Sequence, residues 1–400
     1  MRTPILRLKR GREARARAHP WIFKGDVADV SGGAPGAAVT VVDAGNRFVG
    51  RGLYNPRPAL CCRLLTWRDE PLDPAFFRRQ IATALALPGR GPALSGAGRL
   101  VWSEADGLAG FVADRYGPIL VIQCLTLGMA ACRHELVPAL RAGAGDLPVF
   151  SADEAAPARL EGFEPARGWF DRSGPARVIV EEATVRLGVT FGEGHKTGLY
   201  LDQRDNHIRL GALAHGRDVL DAFCYTAAFA CHALVGGARR ALCIESSPEA
   251  IAAARDNLTL NGVAERAEIV AANAFDELRR LERVGARFGV IVLDPPPFAR
   301  GRQALEAAAR GYKEINLRAM RLLEPGGLLA TFSCSHHISA ALFEEICRDA
   351  ALDAGVRARV VETLTQSPDH PVLLTVPETR YLNGLLLEVV QPGPGARRSP

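Results

Sequence analysis

The distribution of hydrophobic and polar residues changes character along the chain. Over the first 70 residues, short runs rich in β-branched residues alternate with clusters of Gly, Asn and Pro. This pattern predicts strands at residues 36–43, 47–54 and 59–66 of a small barrel. Residues 74–87 have helical spacing, and strands are predicted at 99–103, 110–116 and 119–125. We therefore expect a small β domain followed by an α+β domain.

From residue 217 onwards, apolar strands alternate with helices. Strands are predicted at 218–222, 240–245, 267–272, 290–294 and 328–334, and a helix at 226–235. Ser247 is the expected cap of the next helix, Pro248 its first residue, and Asn261-Gly262 its end. Repeated β-α-β units indicate an α/β fold, a parallel sheet with helices on both faces. The predicted domains are residues 1–72, 73–190 and 191–400.

Composition limits the cellular setting. No apolar run reaches the roughly 18–20 residues that span a bilayer, and the first residues lack the apolar core of a secretory signal. The nine cysteines are odd in number and form no C-x2-C pair, which favours a reducing compartment and argues against a structural zinc site. We expect a cytoplasmic protein without a membrane partner and without a metal ion.

Positive charge is concentrated at the N-terminus. Residues 1–24 hold eight Lys or Arg residues and one Glu, whereas the net charge of the whole chain is +5. A local basic arm suits a phosphate backbone, and Arg10 and Arg12 are candidate RNA contacts. The alternative is a solvated surface with no ligand.

Polar or aromatic residues follow each of four predicted strands, where ligands bind in open α/β sheets. The candidate cofactor contacts are Asp221, Phe223, Tyr225, Thr226, Glu245, Asn273, Ala274 and Asp294. Glu245 suits the two hydroxyl groups of a ribose, and Asn273 the amino group of an adenine. The loop 224–228 reads CYTAA and lacks the G-x-G-x-x-G that a pyrophosphate requires. S-adenosyl-L-methionine, a sulfonium cation without phosphate, is therefore the expected cofactor.

The sequence DPPPF at residues 294–298 suits recognition of a planar base. Two prolines, Pro295 and Pro296, stiffen the turn, while the Asp294 carboxylate and the turn carbonyls offer hydrogen-bond acceptors. Phe298 offers an aromatic face for stacking. Together these groups could hold a base that has been flipped out of a helix.

Cys334 follows the next predicted strand, beside the same cleft. Carbon 5 of cytosine is a poor nucleophile, but addition of a thiolate to carbon 6 makes carbon 5 enamine-like. A free thiol is only slightly ionised near pH 7, so the site would have to activate it. An inert buried cysteine is the alternative interpretation.

At these residues the chain resembles the RlmI family, bacterial methyltransferases that act on cytosine carbon 5 of large-subunit ribosomal RNA. The most specific stretches are KTGLYLDQRDN at 196–206, DPPPF at 294–298, RGYKEIN at 310–316, FSCS at 332–335 and DHPV at 369–372. KRGR at 9–12 and HPWIF at 19–23 resemble that family's RNA-binding PUA domain.

The resemblance implies a PUA domain, an α+β middle domain and a Rossmann-like catalytic domain. It implies S-adenosylmethionine as methyl donor, 23S rRNA as substrate, Cys334 as nucleophile and Asp294 as the group that holds the cytosine. Gln203 and Arg204 carry over as residues of the cofactor cleft. The chain departs from the family at Ala227-Ala228, where Gly-Gly is common, and at Pro297, where a basic residue is usual.

Two other functions fit the same residues. An Asp-Pro-Pro-x-Phe loop also suits methylation of an exocyclic amino group of adenine or guanine, which needs no cysteine. An RNA-binding assembly factor with a vestigial methyltransferase fold is the non-enzymatic alternative, because two methyl groups at 227 and 228 narrow the approach to the cofactor. The sequence leaves the oligomeric state open between a monomer and a homodimer.

Overall fold

The computed structural model describes residues 4–90, 96–191, 198–298, 305–335 and 337–392. Their contacts define two compact units. The first comprises Met1–Val180, Val189–Leu201 and Pro368–Thr379, and the second comprises Glu181–Gly188, Asp202–Ser367 and Arg380–Pro400. Lys196 and Thr197, the start of one motif quoted above, lie outside the described residues.

The first unit begins with a mixed six-stranded sheet. Its strands are β1 (Ile5–Leu8), β2 (Trp21–Phe23), β3 (Val27–Ser31), β4 (Ala38–Val42), β5 (Phe48–Tyr54) and β6 (Leu60–Thr66), in the order β2-β6-β5-β4-β1-β3, with helix α1 at Glu13–Ala18. Alternate residues such as Leu6, Val39 and Leu64 are buried in one core, as expected for strands with one covered face. The three strands predicted at 36–66 are confirmed, each with slightly different ends.

A five-stranded sheet follows in the same unit. It consists of β7 (Ala97–Trp102), β8 (Phe111–Tyr116), β9 (Ile119–Cys124), β10 (Val149–Ala152) and β11 (Arg167–Trp169), in the order β11-β10-β9-β8-β7. The helices are α2 (Pro74–Leu85), α3 (Leu127–Ala131), α4 (Arg133–Ala144) and α5 (Ala155–Glu161). Helix α2 starts where predicted, since the Asp73 side chain accepts a hydrogen bond from Phe76 N and Pro74 is its first residue.

Buried polar contacts join these two sheets. The Glu161 carboxylate, 2% exposed, accepts a hydrogen bond from Asn55 Nδ2 at 2.8 Å and forms an ion pair with Arg63 at 2.9 Å. Both partners come from the N-terminal sheet, so the two sheets share one compact unit. The division into residues 1–72, 73–190 and 191–400 stays a prediction.

A two-stranded hairpin, β12 (Arg177–Glu182) and β13 (Val185–Thr190), leads to a seven-stranded sheet in the second unit. That sheet consists of β14 (Asp218–Ala222), β15 (Arg240–Glu245), β16 (Ala267–Ala271), β17 (Phe288–Leu293), β18 (Leu323–Ser333), β19 (Val356–Leu364) and β20 (Asn383–Pro392), in the order β16-β15-β14-β17-β18-β20-β19. Its helices are α6 (Arg204–Leu213), α7 (Ala228–Val235), α8 (Pro248–Leu260), α9 (Ala274–Arg283), α10 (Leu305–Leu322) and α11 (Ala340–Ala354).

Strands β14 to β18 are parallel, as the alternating pattern predicted. Helices cover both faces, so a central strand such as β17 is buried along its whole length and reads as a continuous apolar run. The Ser247 side chain accepts a hydrogen bond from Ala250 N, and helix α8 runs from Pro248 to Leu260, as predicted.

The prediction of a wholly parallel sheet was wrong at one edge. Strands β19 and β20 extend the sheet in antiparallel order, and β20 pairs with β18. Most of β19 is exposed, so it lacks the apolar run that revealed the inner strands. Among the described residues, no helix is long and apolar enough to cross a membrane.

Candidate active site

The carboxyl ends of the parallel strands carry the predicted site residues. Asp221 lies in β14, Glu245 ends β15, Asn273 follows β16, Asp294 follows β17, and Cys334 follows β18. In a parallel sheet these ends lie along one edge, so one cleft can receive all five side chains.

The loop between β14 and α7 has an unusual backbone. Phe223, Tyr225 and Ala227 adopt left-handed conformations, with φ of 65°, 49° and 61°. Such a conformation costs a residue with a side chain roughly 1–2 kcal/mol. Helix α7 therefore starts at Ala228, two residues later than predicted. The loop takes a strained path at the position where the family commonly has Gly-Gly.

Glu245 holds this loop through main-chain hydrogen bonds. Its Oε2 accepts from Tyr225 N at 3.0 Å, and its Oε1 accepts from Ser246 N and Ser247 N at 2.7 and 2.9 Å. A carboxylate has about four acceptor positions. Three are used by the backbone, so the free position on Oε2 can receive one ribose hydroxyl, whereas the sequence suggested both.

Asp221 is buried beneath the loop. Its Oδ2 accepts a hydrogen bond from Ala230 N in α7 at 3.1 Å, while Oδ1 is buried and has no partner among the described residues. Burial raises the pKa of Asp221 to about 7. An unsatisfied acceptor at this depth is costly without a ligand that donates to it.

Gln203 caps helix α6, and Arg204 is the first residue of that helix. Their assignment to the cofactor cleft stays a prediction. Gln203 is buried; its Oε1 accepts a hydrogen bond from Asn206 Nδ2 at 2.6 Å, and its Nε2 completes no hydrogen bond of normal geometry in the described protein. Arg204 lies 3.2 Å from the Asp205 carboxylate and is partly exposed. Gln203 also lowers the pKa of Asp294, so its Nε2 is a donor beside that carboxyl group that a bound ligand could share.

Asn273 has a structural role that sequence reasoning did not assign. Its side-chain oxygen accepts a hydrogen bond from Phe275 N at 2.9 Å and caps helix α9, whose first residue is the buried Ala274. That same oxygen was predicted to accept from the adenine amino group. The adenine contact stays a prediction, and it would have to share the oxygen with the helix cap.

Phe298 belongs to an aromatic cluster. Its ring centroid lies 4.6 Å from Tyr312 and 5.5 Å from Phe275, and Phe275 lies 6.3 Å from Phe223. These contacts connect the ring to the loop that follows β14 and to the first turn of α9. Part of its surface is thus already occupied, and stacking of Phe298 on a substrate base stays a prediction.

Cys334 and Asp294 face the same part of the cleft. The Cys334 thiol donates to the Pro295 carbonyl oxygen at 3.8 Å; Pro295 is buried, whereas Pro296 is exposed. Burial and the nearby carboxylates of Asp294 and Asp202 raise the pKa of Cys334 to about 12. The resting side chain is therefore a neutral thiol, as the need for activation implied.

The Asp294 carboxyl group is surrounded by protein although the residue is partly exposed. Burial, followed by the charge of Asp202, raises its pKa to about 7, and His207 and Gln203 oppose the rise. Near neutral pH this group can therefore exist as an acid that donates a hydrogen bond or as a base that accepts one.

Asp202 and Tyr312 are site residues that sequence reasoning missed. The Tyr381 hydroxyl donates to Asp202 Oδ2 at 2.6 Å across 179 residues of sequence. The buried Tyr312 hydroxyl lies 3.0 Å from Ser335 Oγ and supports the segment that carries Cys334. Asp202 lies inside the motif at 196–206 and Tyr312 inside the motif at 310–316. Their position in these two motifs is the feature of the sequence that could have identified them as site residues.

The basic residues proposed to contact RNA phosphate groups lie in the first unit. Arg10 and Arg12 flank the turn between β1 and α1, and both are exposed. Arg12 Nε lies 3.5 Å from the Asp26 carboxylate, and Arg15 lies 3.8 Å from it. The negative charge of Asp26 therefore offsets part of the positive charge of this arm. Because Arg12 is paired with Asp26, Arg10 is the better candidate for a contact with an RNA phosphate group.

Comparison with known proteins defines the class of this site. A family model described as S-adenosylmethionine-dependent methyltransferase matches residues 164–383, and a PUA-like domain model matches residues 6–67. A putative SAM-dependent methyltransferase from Streptococcus mutans has the same fold, with a TM-score of 0.82 at 17% identity over 96% of this chain and 100% of that chain. A putative methyltransferase complexed with SAH gives a TM-score of 0.81 at 18% identity and the same coverage. The protein is an S-adenosylmethionine-dependent methyltransferase with an N-terminal PUA-like domain.

Relatives along nearly the whole chain narrow this class. The ribosomal RNA large subunit methyltransferase I of Shewanella denitrificans is 39% identical over 394 residues, which cover 96% of this chain and 99% of the relative. The protein of the same name from Klebsiella pneumoniae strain 342 is also 39% identical over 394 residues, with 97% and 98% covered. The chain belongs to the ribosomal RNA large subunit methyltransferase I family, and the resemblance, fold class and cofactor inferred from its sequence are confirmed.

The residues present fit the polar groups of S-adenosylmethionine. The buried Asp221 Oδ1 and the remaining position on Glu245 Oε2 could accept hydrogen bonds from it, and Gln203 Nε2 could donate one. The cofactor carries ammonium and hydroxyl donors and a carboxylate acceptor, which complement these three atoms. The individual cofactor contacts stay predictions.

The strained loop predicts a difference between two neighbouring alanines. Ala227→Gly and Ala228→Gly each remove one buried methyl group, but only Ala227 has a left-handed backbone. We expect the Ala227→Gly protein to be more stable than the Ala228→Gly protein by about 1 kcal/mol, because strain is relieved at the first position and a helix is weakened at the second. Urea denaturation measures both; equal free energies of unfolding would show that the loop is unstrained.

The Asp294 charge predicts the reactivity of Cys334. Asp294→Asn removes a negative charge that raises the thiol pKa, so alkylation of Cys334 by iodoacetamide at pH 8 should become several-fold faster. Peptide mass spectrometry follows this residue alone. Asp276→Asn, at an exposed carboxylate on α9, is the control and should leave the rate unchanged. An unchanged or slower rate in Asp294→Asn would contradict the electrostatic coupling.

Proposed function

We propose that the protein transfers a methyl group from S-adenosylmethionine to carbon 5 of a cytosine in 23S rRNA. The observation that carries this proposal is the position of Cys334 at the end of β18, within reach of the Asp294 charge and hydrogen-bonded to the Pro295 carbonyl. A cysteine beside a base-binding carboxylate suits addition to a pyrimidine ring. The names of the relatives support large-subunit rRNA, and the PUA-like domain supports an RNA substrate.

Asp294 has the properties needed to hold and activate the base. Cytosine presents an acceptor at ring nitrogen 3 and donors at its amino group. With a pKa raised to about 7, Asp294 can keep its proton and donate a hydrogen bond to nitrogen 3, which draws electron density from carbon 6. A neutral Asp294 also no longer repels the negative charge of a Cys334 thiolate. Protonation of Asp294 would therefore promote thiolate addition in two ways.

The proposed reaction conserves atoms and electrons through a covalent adduct. The Cys334 thiol loses its proton to a base, the sulfur forms a bond to carbon 6 of cytosine, and the double bond between carbons 5 and 6 opens so that carbon 5 becomes nucleophilic. When bound, S-adenosylmethionine would supply the electrophilic methyl group: carbon 5 would bond to it, the methyl–sulfur bond would break, and S-adenosylhomocysteine would leave. A base then removes the carbon 5 proton, the double bond between carbons 5 and 6 reforms, and the carbon–sulfur bond breaks with its electrons returning to Cys334.

The roles of the remaining parts of the chain follow from the sequence pattern and from the family resemblance. Residues 1–72 form the RNA-binding PUA domain, residues 73–190 the middle domain and residues 191–400 the catalytic domain. Arg10 and Arg12 contact phosphate groups, and the enzyme acts in the cytoplasm, where rRNA is assembled into subunits. We propose RNA as the macromolecular partner and no interaction with a membrane.

Replacement of Cys334 tests the proposed chemistry. Cys334→Ala should bind S-adenosylmethionine normally and lose formation of 5-methylcytidine in rRNA by at least about 10³-fold, because the nucleophile is absent. Nucleoside mass spectrometry of rRNA from a strain that lacks the protein, treated with each variant, gives the product. Cys132→Ala is the control, since Cys132 is a partly exposed cysteine in the first unit.

The same experiment distinguishes the alternatives. Normal 5-methylcytidine formation by Cys334→Ala would overturn the covalent mechanism. Methylated adenosine or guanosine without 5-methylcytidine would instead favour transfer to an exocyclic amino group, for which the Asp294–Phe298 loop is also suited. Failure of the unaltered protein to bind S-adenosylmethionine in calorimetry would favour an assembly factor.

The basic arm predicts a salt-dependent contribution to RNA affinity. Arg10→Gln should weaken binding of an rRNA fragment and reduce the slope of log affinity against log salt by about 0.7–0.9, the value for one lost phosphate contact. Filter binding at several salt concentrations measures the slope. Arg348→Gln, on the exposed surface of α11, should leave it unchanged. Equal slopes for all three proteins would assign Arg10 to the solvated surface.

A further inference from the structure

A buried cluster of metal-binding side chains lies in the second unit, apart from the groups assigned to catalysis. Glu182 ends β12, His207 lies on α6 and His232 lies on α7. Their side chains are 0%, 4% and 5% exposed. Buried charged and ionisable groups are costly unless they are paired or bind an ion, so this cluster needs a physical explanation.

The donor atoms of the three residues converge. Glu182 Oε2 lies 3.0 Å from His207 Nδ1 and 3.3 Å from His232 Nε2, and one donor atom from each residue lies within 4.8 Å of the other two. Four ligands at about 2.05 Å around a tetrahedral zinc ion are separated by about 3.3 Å. The two separations from Glu182 Oε2 are therefore close to the spacing of zinc ligands, and the third lies within 4.8 Å.

Hydrogen bonds alone leave the cluster incomplete. Both imidazoles point to Glu182 Oε2, whereas Glu182 Oε1 is buried and has no partner among the described residues. A buried carboxylate oxygen without a donor is costly, and a bound ion would supply the missing partner. The cluster thus combines a carboxylate that has an unsatisfied oxygen with two imidazole rings.

We propose that Glu182, His207 and His232 bind one divalent transition-metal ion, for which zinc is the best fit. Imidazole nitrogen and carboxylate oxygen are common zinc ligands. The ion would also give the unsatisfied Oε1 of Glu182 a partner. Three protein ligands leave one position of a tetrahedral ion for a further donor, and burial of the cluster from solvent favours a structural role for the ion.

The position of the cluster predicts what the ion does. It would join α6, which starts next to Gln203, to α7, which follows the strained loop at 223–227. His207 is also close enough to Asp221 and Asp294 to lower the pKa of both carboxyl groups. A bound cation would hold the two helices that border the cofactor cleft in a fixed arrangement. Its loss should therefore reduce thermal stability and weaken cofactor binding.

Metal content tests this proposal without an assay of methyl transfer. The full chain, produced without a histidine tag in medium supplemented with zinc, should contain about one zinc ion per chain by mass spectrometry of the elements. Removal by a chelator should lower the melting temperature, and added zinc should restore it. Reconstitution with cobalt should give the visible absorption bands of a tetrahedral site.

Matched variants locate the ion. Glu182→Gln and His232→Gln keep the size of the side chains, and each should reduce zinc content at least about tenfold. His215→Gln alters an exposed histidine of the same unit and should retain the full content. Circular dichroism identifies a variant that fails to fold. In that case, the proposal is tested by adding zinc to the unaltered protein after chelator treatment and measuring whether the melting temperature recovers.

Two results would overturn the metal site. One is a folded, unaltered protein with less than about one zinc per ten chains whose melting temperature is unchanged by added zinc, cobalt, manganese or nickel. The other is equal zinc content in folded His232→Gln and the unaltered protein. Either result would leave the three side chains as a cluster held by hydrogen bonds alone.

Discussion

The hydrogen bonds of the Glu245 carboxylate are the constraint on which the active site depends. This side chain accepts from three backbone amides, including that of Tyr225 in the loop after β14. The same loop contains left-handed residues whose strain must be balanced by local contacts. Glu245 therefore fixes the path of a loop that would otherwise relax, and that path determines the start of α7 and the position of Asp221 beneath it. Ala227 shows that this balance is met without the glycine that is common in the family.

Buried carboxyl groups give the cleft its chemistry. Asp221 and Asp294 have pKa values raised to about 7 by burial, and the thiol of Cys334 has a pKa raised to about 12, partly by the charge of Asp294. The charge of Asp294 thus disfavours a thiolate at Cys334. In the proposed mechanism, a cationic cofactor adds positive charge near the sulfur, and a protonated Asp294 hydrogen-bonded to the base removes negative charge, so both would lower the pKa of the thiol. The proposal therefore links activation of Cys334 to the presence of both substrates.

The sequence predicted the features that arise from local patterns. Strands at Asp218–Ala222 and Arg240–Glu245 were found with the predicted bounds, since buried parallel strands read as apolar runs between turn residues. Contacts between distant residues had no such signal. The edge strand β19 is too exposed to form an apolar run, and the Tyr381–Asp202 hydrogen bond spans 179 residues. The three metal-binding candidates come from three different elements, so a search for short cysteine spacings could not have found them.

Covalent addition of Cys334 to cytosine carbon 6 is the central claim, and trapping the adduct tests it most directly. An rRNA fragment with 5-fluorocytidine at the methylated position has no proton at carbon 5 for the base to remove, so the final elimination cannot occur. In the presence of S-adenosylmethionine, the account predicts a stable protein–RNA complex that carries the transferred methyl group and maps to Cys334 by peptide mass spectrometry. Absence of this complex, or its attachment to another residue, while the fragment with ordinary cytidine is methylated, would contradict the account.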